Sequence, residues 1–197
     1  MPYLNTPNVR LYYEEAGSGP ETIIFSHGLL WSHRMFRAQI DHLKDRYRVI
    51  AYDHRGQGQS EVTKDGYDMD TLTNDALGLL NGLEIDRCHF AGLSMGGFVA
   101  MRMAIHHPDR LRSLILLETS AQAEPAENVP RYRTLSRVVN LLGTWAVKKP
   151  VMNIMFGDSF LQDTQRKSER THWERELTRN RKSITRAVGG VIDREAV

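Results

Sequence analysis

Gly92-Leu93-Ser94-Met95-Gly96 reads G-x-S-x-G, and it is the part of this sequence best suited to breaking a bond. A serine hydroxyl attacks a carbonyl carbon when the backbone exposes it and a base takes its proton. An apolar run at residues 89–93 enters the pentapeptide, and residues 97–105, apolar nearly all round, leave it as a helix expected to be buried. That strand-turn-helix order puts a sharp, strained bend at the serine. The chemistry implied is acyl transfer with Ser94 as nucleophile. Gly92 and Gly96 are the structural partners of the bend, since a Cβ at either position would meet neighbouring chain. The helix that opens there also favours negative charge developing beside its first turn.

Acyl transfer needs two donors for the oxyanion. One is the backbone N–H of Met95, directly after the serine. The second is expected from Ser26-His27-Gly28-Leu29-Leu30-Trp31, where Gly28 allows a tight turn that aims the Leu29 N–H at the same spot. His27 stands before that glycine as a structural histidine bracing the loop, not as a base. Leu30 and Trp31 are candidates for lining an apolar acyl pocket, although plain core packing accounts for Trp31 as well.

These groups need a scaffold that brings distant loops together. Residues 3–6 and 9–15 read as two short strands around a Pro-Asn turn. Residues 22–26, 47–52, 89–93 and 114–117 are apolar runs of the kind buried on both faces of a parallel sheet. Helical patterns lie between them: Met35, Phe36, Gln39, Ile40 and Leu43 share one face, as do Leu72, Ala76, Leu79 and Leu80. Alternation of this kind predicts βαβ units, a mostly parallel sheet and helices on both faces. From Ser120 onward the character changes to a proline-bearing connection followed by helices, with apolar clusters around residues 138–147, 150–156 and 173–177.

Three motifs occur in order: His27-Gly28, then Asp53-His54-Arg55-Gly56-Gln57-Gly58-Gln59-Ser60, then Gly92-Leu93-Ser94-Met95-Gly96-Gly97. In this the sequence resembles the α/β-hydrolase superfamily, in particular its small esterase, enol-lactonase and haloperoxidase-like branch. The resemblance implies a core over residues 1–120 and a helical cap or lid over residues 121–197. It implies a structural turn at residues 53–60, tied by Asp53 and Arg55. Gly56-Gln57-Gly58 is no dinucleotide fingerprint, because position 61 is Glu61 and no helix opens there. It also makes Glu118 a possible triad acid, because some branches carry the acid after this strand.

A serine of this kind needs a histidine base and a carboxylate to orient it, in the order Ser, acid, His. After Ser94 the histidines are His106, His107 and His172. The first two end the helix that starts at the nucleophile, about 18 Å away at 1.5 Å per residue, and His172 sits on a polar helix. The expectation is that acid and base lie outside this chain, which is then incomplete at its C-terminal end. Residues 191–197 read as a helix leading back to the sheet. A sheet ending at residues 114–117 would expose an edge, to be covered by a complementing C-terminal segment or by self-association. The function expected is hydrolysis of a small-molecule carboxylic ester or lactone. The rivals are perhydrolysis with the same serine and a non-catalytic binding module.

Bulk properties narrow the partners. With 197 residues, 41% hydrophobic and 25% charged, the chain suits one well-buried core. A net charge of +2 gives no reason to expect nucleic acid or a membrane surface as partner. Cys88 is the single cysteine and reads as a packed thiol on a strand. No metal-ligand spacing or cofactor motif is present, so none is implied. The expected location is cytoplasmic, from the absence of a signal-peptide pattern and of any membrane-length apolar run.

Overall fold

The computed structural model describes residues 2–197. Six strands form one sheet: β1 (Tyr3–Asn5), β2 (Arg10–Ala16), β3 (Thr22–Ser26), β4 (Arg48–Tyr52), β5 (Cys88–Leu93) and β6 (Leu111–Leu117). Their order across the sheet is β1-β2-β4-β3-β5-β6. β1 and β2 pair antiparallel, as do β2 and β4, and the other three pairings, which join β4, β3, β5 and β6, are parallel.

The apolar runs become the interior strands for a simple reason: β3 and β4 have helices over both faces. On one face α2 (Met69–Gly82) and α3 (Met95–His106) bury Leu72, Leu79, Val99 and Met103 against Ile24, Ile50 and Phe90. On the other, Phe36 and the segment leading into α1 (Arg37–Leu43) pack against Ile23, Phe25, Val49 and Ala51. Alternate residues of β3 thus enter different cores, which is why it reads as a continuous apolar run. Cys88 is buried at the start of β5, and burial pushes its thiol up to about 12.

The chain leaves β3 toward β4 and then crosses back to β5 and β6, with a helix on opposite faces each way. At such a reversal the loops at the carboxyl ends of the strands part and open a crevice. The register aligns Ser26 with Gly92 and Leu93 with Leu117, so the segments after β3, β5 and β6 leave the sheet at the same edge.

Five helices follow: α4 (Val129–Leu142), α5 (Lys148–Met155), α6 (Asp158–Gln162), α7 (Lys167–Thr178) and α8 (Ile184–Ile192). Their inward residues Val139, Val151, Met152, Leu177 and Ile184, with Val147 from the short turn between α4 and α5, form a second core with Trp31 and Tyr67 from the sheet side. Among the described residues, no helix is long and apolar enough to cross a membrane.

Three expectations need correction. β6 begins at Leu111, three residues early, because an extra residue opposite Cys88 and His89 lets Leu111 join the ladder. α3 is buried over its first turns only; Ile105 at its far end is 56% exposed. The tail is not helical after Ile192. It still returns to the sheet layer, where the Val197 amide donates to the Ala121 carbonyl at 2.8 Å and Arg102 donates to the Glu195 carbonyl at 2.8 Å. β6 pairs on one side only, and Ile115, Leu116 and Leu117 are exposed.

Candidate active site

Ser94 sits between β5 and α3 at φ 50° and ψ −114°, a left-handed conformation that few non-glycine residues adopt. Its surroundings hold it there. The Ser94 amide donates to the Leu117 carbonyl at 2.9 Å, and its carbonyl accepts from the Gly97 and Phe98 amides and from Thr119 Oγ1. A Cβ on Gly92 would lie 2.3 Å from the Gly96 carbonyl oxygen, and one on Gly96 would lie 2.0 Å from the Ser26 carbonyl oxygen. The turn is as tight as the motif implies because strand and helix backbones touch.

The loop after β3 is built around His27. Its Nδ1–H donates to the Gly28 carbonyl at 2.8 Å, and its Nε2 accepts the His54 amide at 3.0 Å. Both nitrogens are thereby occupied on a fully buried ring. Gly28 lies against the serine, so close that a Cβ there would be 3.6 Å from Ser94 Cβ. Next along, Leu30 has φ 74° and donates its amide to Gln57 Oε1 at 2.9 Å, while its carbonyl accepts from Asn180 Nδ2 at 2.7 Å. Among the described residues, neither the Leu29 amide nor the Met95 amide has a hydrogen-bond acceptor. Two unbonded N–H groups thus flank the serine, one at a helix start where no intrahelical partner exists.

Ser94 faces a cavity of about 530 Å³ roofed by α4, α5, α7 and α8. Leu29, Leu30, Trp31, Glu118 and Phe98 also line it. Trp31 is 7% exposed and packs edge-on against Trp173 at 5.3 Å, and it also borders the cavity. Glu118 follows β6 at φ 40° with an exposed side chain. None of the eight histidines lines the cavity. His106 and His107 lie at the far end of α3, and the exposed His172 meets Trp173 edge-on at 5.1 Å.

Several positioning residues escape a reading of the sequence. Gln57 links the two amide-bearing segments, holding Leu30 through Oε1 and reaching Met95 Sδ at 3.7 Å through Nε2. Thr119 fills the space left by the missing side chain of Gly97, where a Cβ would meet its Oγ1 at 2.4 Å. Asn180 ties the helical layer to the loop after β3. Beneath them Asp53 accepts from the His33 amide, the His33 ring and the Gln59 amide, and Arg55 grips Asp75 through two 2.6 Å hydrogen bonds. Burial pushes the Asp53 carboxyl up, but the His33 hydrogen bond and the nearby His27 and His33 rings outweigh it and leave it below its ordinary value.

The buried histidines give this region a pH signature. Burial lowers His27 despite the pull of Asp53, and burial together with the neighbouring His27 ring drives His54 well below the ordinary 6.5. In the unfolded chain both rings take protons below that value, whereas in the fold they take them up only at lower pH. Stability therefore falls as pH drops below 6.5, by up to about 1.4 kcal/mol per pH unit for each ring. Thermal melts should show Tm nearly level above about pH 7 and declining toward about pH 5. A Tm indifferent to pH across that range would contradict neutral burial of the two rings.

A family model described as alpha/beta hydrolase fold matches residues 21–188. The chain is 31% identical over 162 residues to 3-oxoadipate enol-lactonase 2 of Acinetobacter baylyi, which is 82% of this chain and 60% of that protein. The crystal structure of the enol-lactonase from Burkholderia xenovorans LB400 superposes with a TM-score of 0.88 at 26% identity, covering 98% of this chain and 74% of that one. A thermophilic esterase from Thermogutta terrifontis, solved with malate bound, also gives 0.88 at 27% identity and covers 100% of this chain and 72% of its own. The chain thus spans three fifths of the length of that curated relative.

Proposed function

The chain belongs to the α/β-hydrolase fold family, and from that premise we propose that it is the front part of a serine hydrolase acting on small carboxylic esters or lactones. The observation that carries the proposal is Ser94, held at φ 50° at the edge of a cavity and flanked by two amides with no acceptor. Ser94 Oγ attacks the carbonyl carbon, and the N–H groups of Leu29 and Met95 receive the oxyanion. Collapse expels the alcohol, which leaves with the proton that the base took from Ser94 Oγ, and an acyl ester remains on Ser94. A water then attacks that ester and releases the acid and the free serine.

Residues 121–197 act as the cap over this reaction, with Leu30 and Trp31 forming the acyl pocket together with α4–α8. His27, Gly28, Gly92 and Gly96 shape the two turns and take no part in the chemistry. The base is a histidine outside these 197 residues. It belongs to a polypeptide segment laid along β6, whose exposed Ile115, Leu116 and Leu117 ask for cover. That segment brings an acid of its own or uses Glu118, which borders the same cavity as Ser94.

A fluorophosphonate probe tests this reading in the full-length protein, because it reacts only with a serine that has its base and oxyanion donors in place. We expect one label per chain, mapped to Ser94 by peptide mass and abolished in Ser94→Ala. A full-length protein that stays unlabelled would favour the binding-module reading, for which the lack of a histidine in this cavity is the motive.

A further inference from the structure

We propose that the cavity beside Ser94 takes an uncharged, apolar acyl chain and turns away ligands that carry a second, free carboxylate. The word acyl rests on the hydrolase reading above, but the preference itself is a property of the cavity.

At about 530 Å³ the space lies in the range of pockets that enclose a small organic ligand. One wall is aromatic: Trp31 packs edge-to-face against Trp173 and Phe156 at 5.3 and 5.9 Å, and Phe156 lies tilted against Trp173 at 6.0 Å. The charged residues that line it are Glu118 and Glu124, and among the described residues no lysine, arginine or histidine does. One cation comes close. Arg194 touches three lining residues, donating to Glu124 Oε2 and the Val191 carbonyl and stacking 4.1 Å over the Phe98 ring. A further bond runs from its Nε to the Gln122 carbonyl; its charge is already matched by Glu124, and it does not itself line the cavity.

The helices around the cavity do not lack cations. Between residues 131 and 186 there are thirteen Lys and Arg against five Asp and Glu. Every one of those cations is exposed or half-buried, and none lines the cavity. The charge is sorted: positive outside, apolar with carboxylates within. A ligand carboxylate entering here would lose its water, find no counter-ion and face Glu118. An alkyl chain meets a lining made mostly of aliphatic and aromatic side chains.

The test is binding, which needs no catalysis. An uncharged alkyl methyl ketone and a keto acid of the same length, carboxylated at the far end, are titrated into the full-length protein at neutral pH. The signal is the fluorescence of Trp31 and Trp173 in the cavity wall. The ketone should bind saturably and the keto acid at least ~30-fold more weakly, and the gap should persist in Ser94→Ala. A Met155→Lys variant, which sets a cation at a half-exposed position of the lining, should narrow the gap. Equal or tighter binding of the keto acid to the parent protein overturns the proposal, as does absence of saturable binding by either probe. Failure of Ser94 to react with fluorophosphonate would leave this comparison standing, so the two readings fall separately.

Discussion

Ser94→Ala in the full-length protein is expected to lower kcat by about 10⁴- to 10⁶-fold, the range for loss of a nucleophile whose partners remain. The reason is local. Ser94 makes its hydrogen bonds to the fold through its amide and carbonyl, to Leu117, Gly97, Phe98 and Thr119, and all of these survive in alanine. The backbone at φ 50° is equally strained for either residue. Tm should therefore move little, within the spread of about 0.5 kcal/mol usual for a substitution that breaks no packing or hydrogen bond. KM should change far less than kcat, since the cavity wall is untouched. A wild-type kcat in Ser94→Ala would remove the serine from the chemistry altogether, whatever the fold.

What the sequence carried was local chemistry. The turn at Ser94 was legible because Gly92 and Gly96 are demanded by backbone contact. The parallel strands were legible because β3 and β4 are apolar on both faces, and a continuous apolar run is the direct trace of that. The start of β6 was not, because Arg112 and Ser113 face solvent on an edge strand and interrupt the run. The part of the site held by long-range contacts was also hidden. Gln57 lies thirty-eight residues from Met95, and Asn180 one hundred and fifty from Leu30. Neither has a local pattern that announces its partner. The cavity is a similar case. Its apolar lining comes from loops and helices scattered from Leu29 to Ile192, and only the fold collects them.

The glycines of the turn offer the sharpest structural test, because their contacts are with backbone that has nowhere to go. A Cβ on Gly96 would stand 2.0 Å from the Ser26 carbonyl oxygen and 2.8 Å from Ser26 Oγ. Ser26 ends the central strand β3, which pairs with β4 on one side and β5 on the other. Its hydroxyl is bonded to Tyr52 and His54 in a fully buried network. Relief would mean parting α3 from the sheet and stripping Val99 and Met103 of their packing. Gly96→Val should thus cost more than about 4 kcal/mol, a large share of the 5–15 kcal/mol that holds a typical domain together. The expected result is a Tm lower by ~10 °C or more, or protein recovered only as aggregate. Gly189→Ala supplies the control. A Cβ there meets nothing within 4 Å, and the residue lies inside α8, where alanine is the better helix former by up to about 1 kcal/mol. It should leave Tm unchanged or raise it slightly. If Gly96→Val melted with Gly189→Ala, the close approach of α3 to β3 would be absent, and with it the strained turn that presents Ser94.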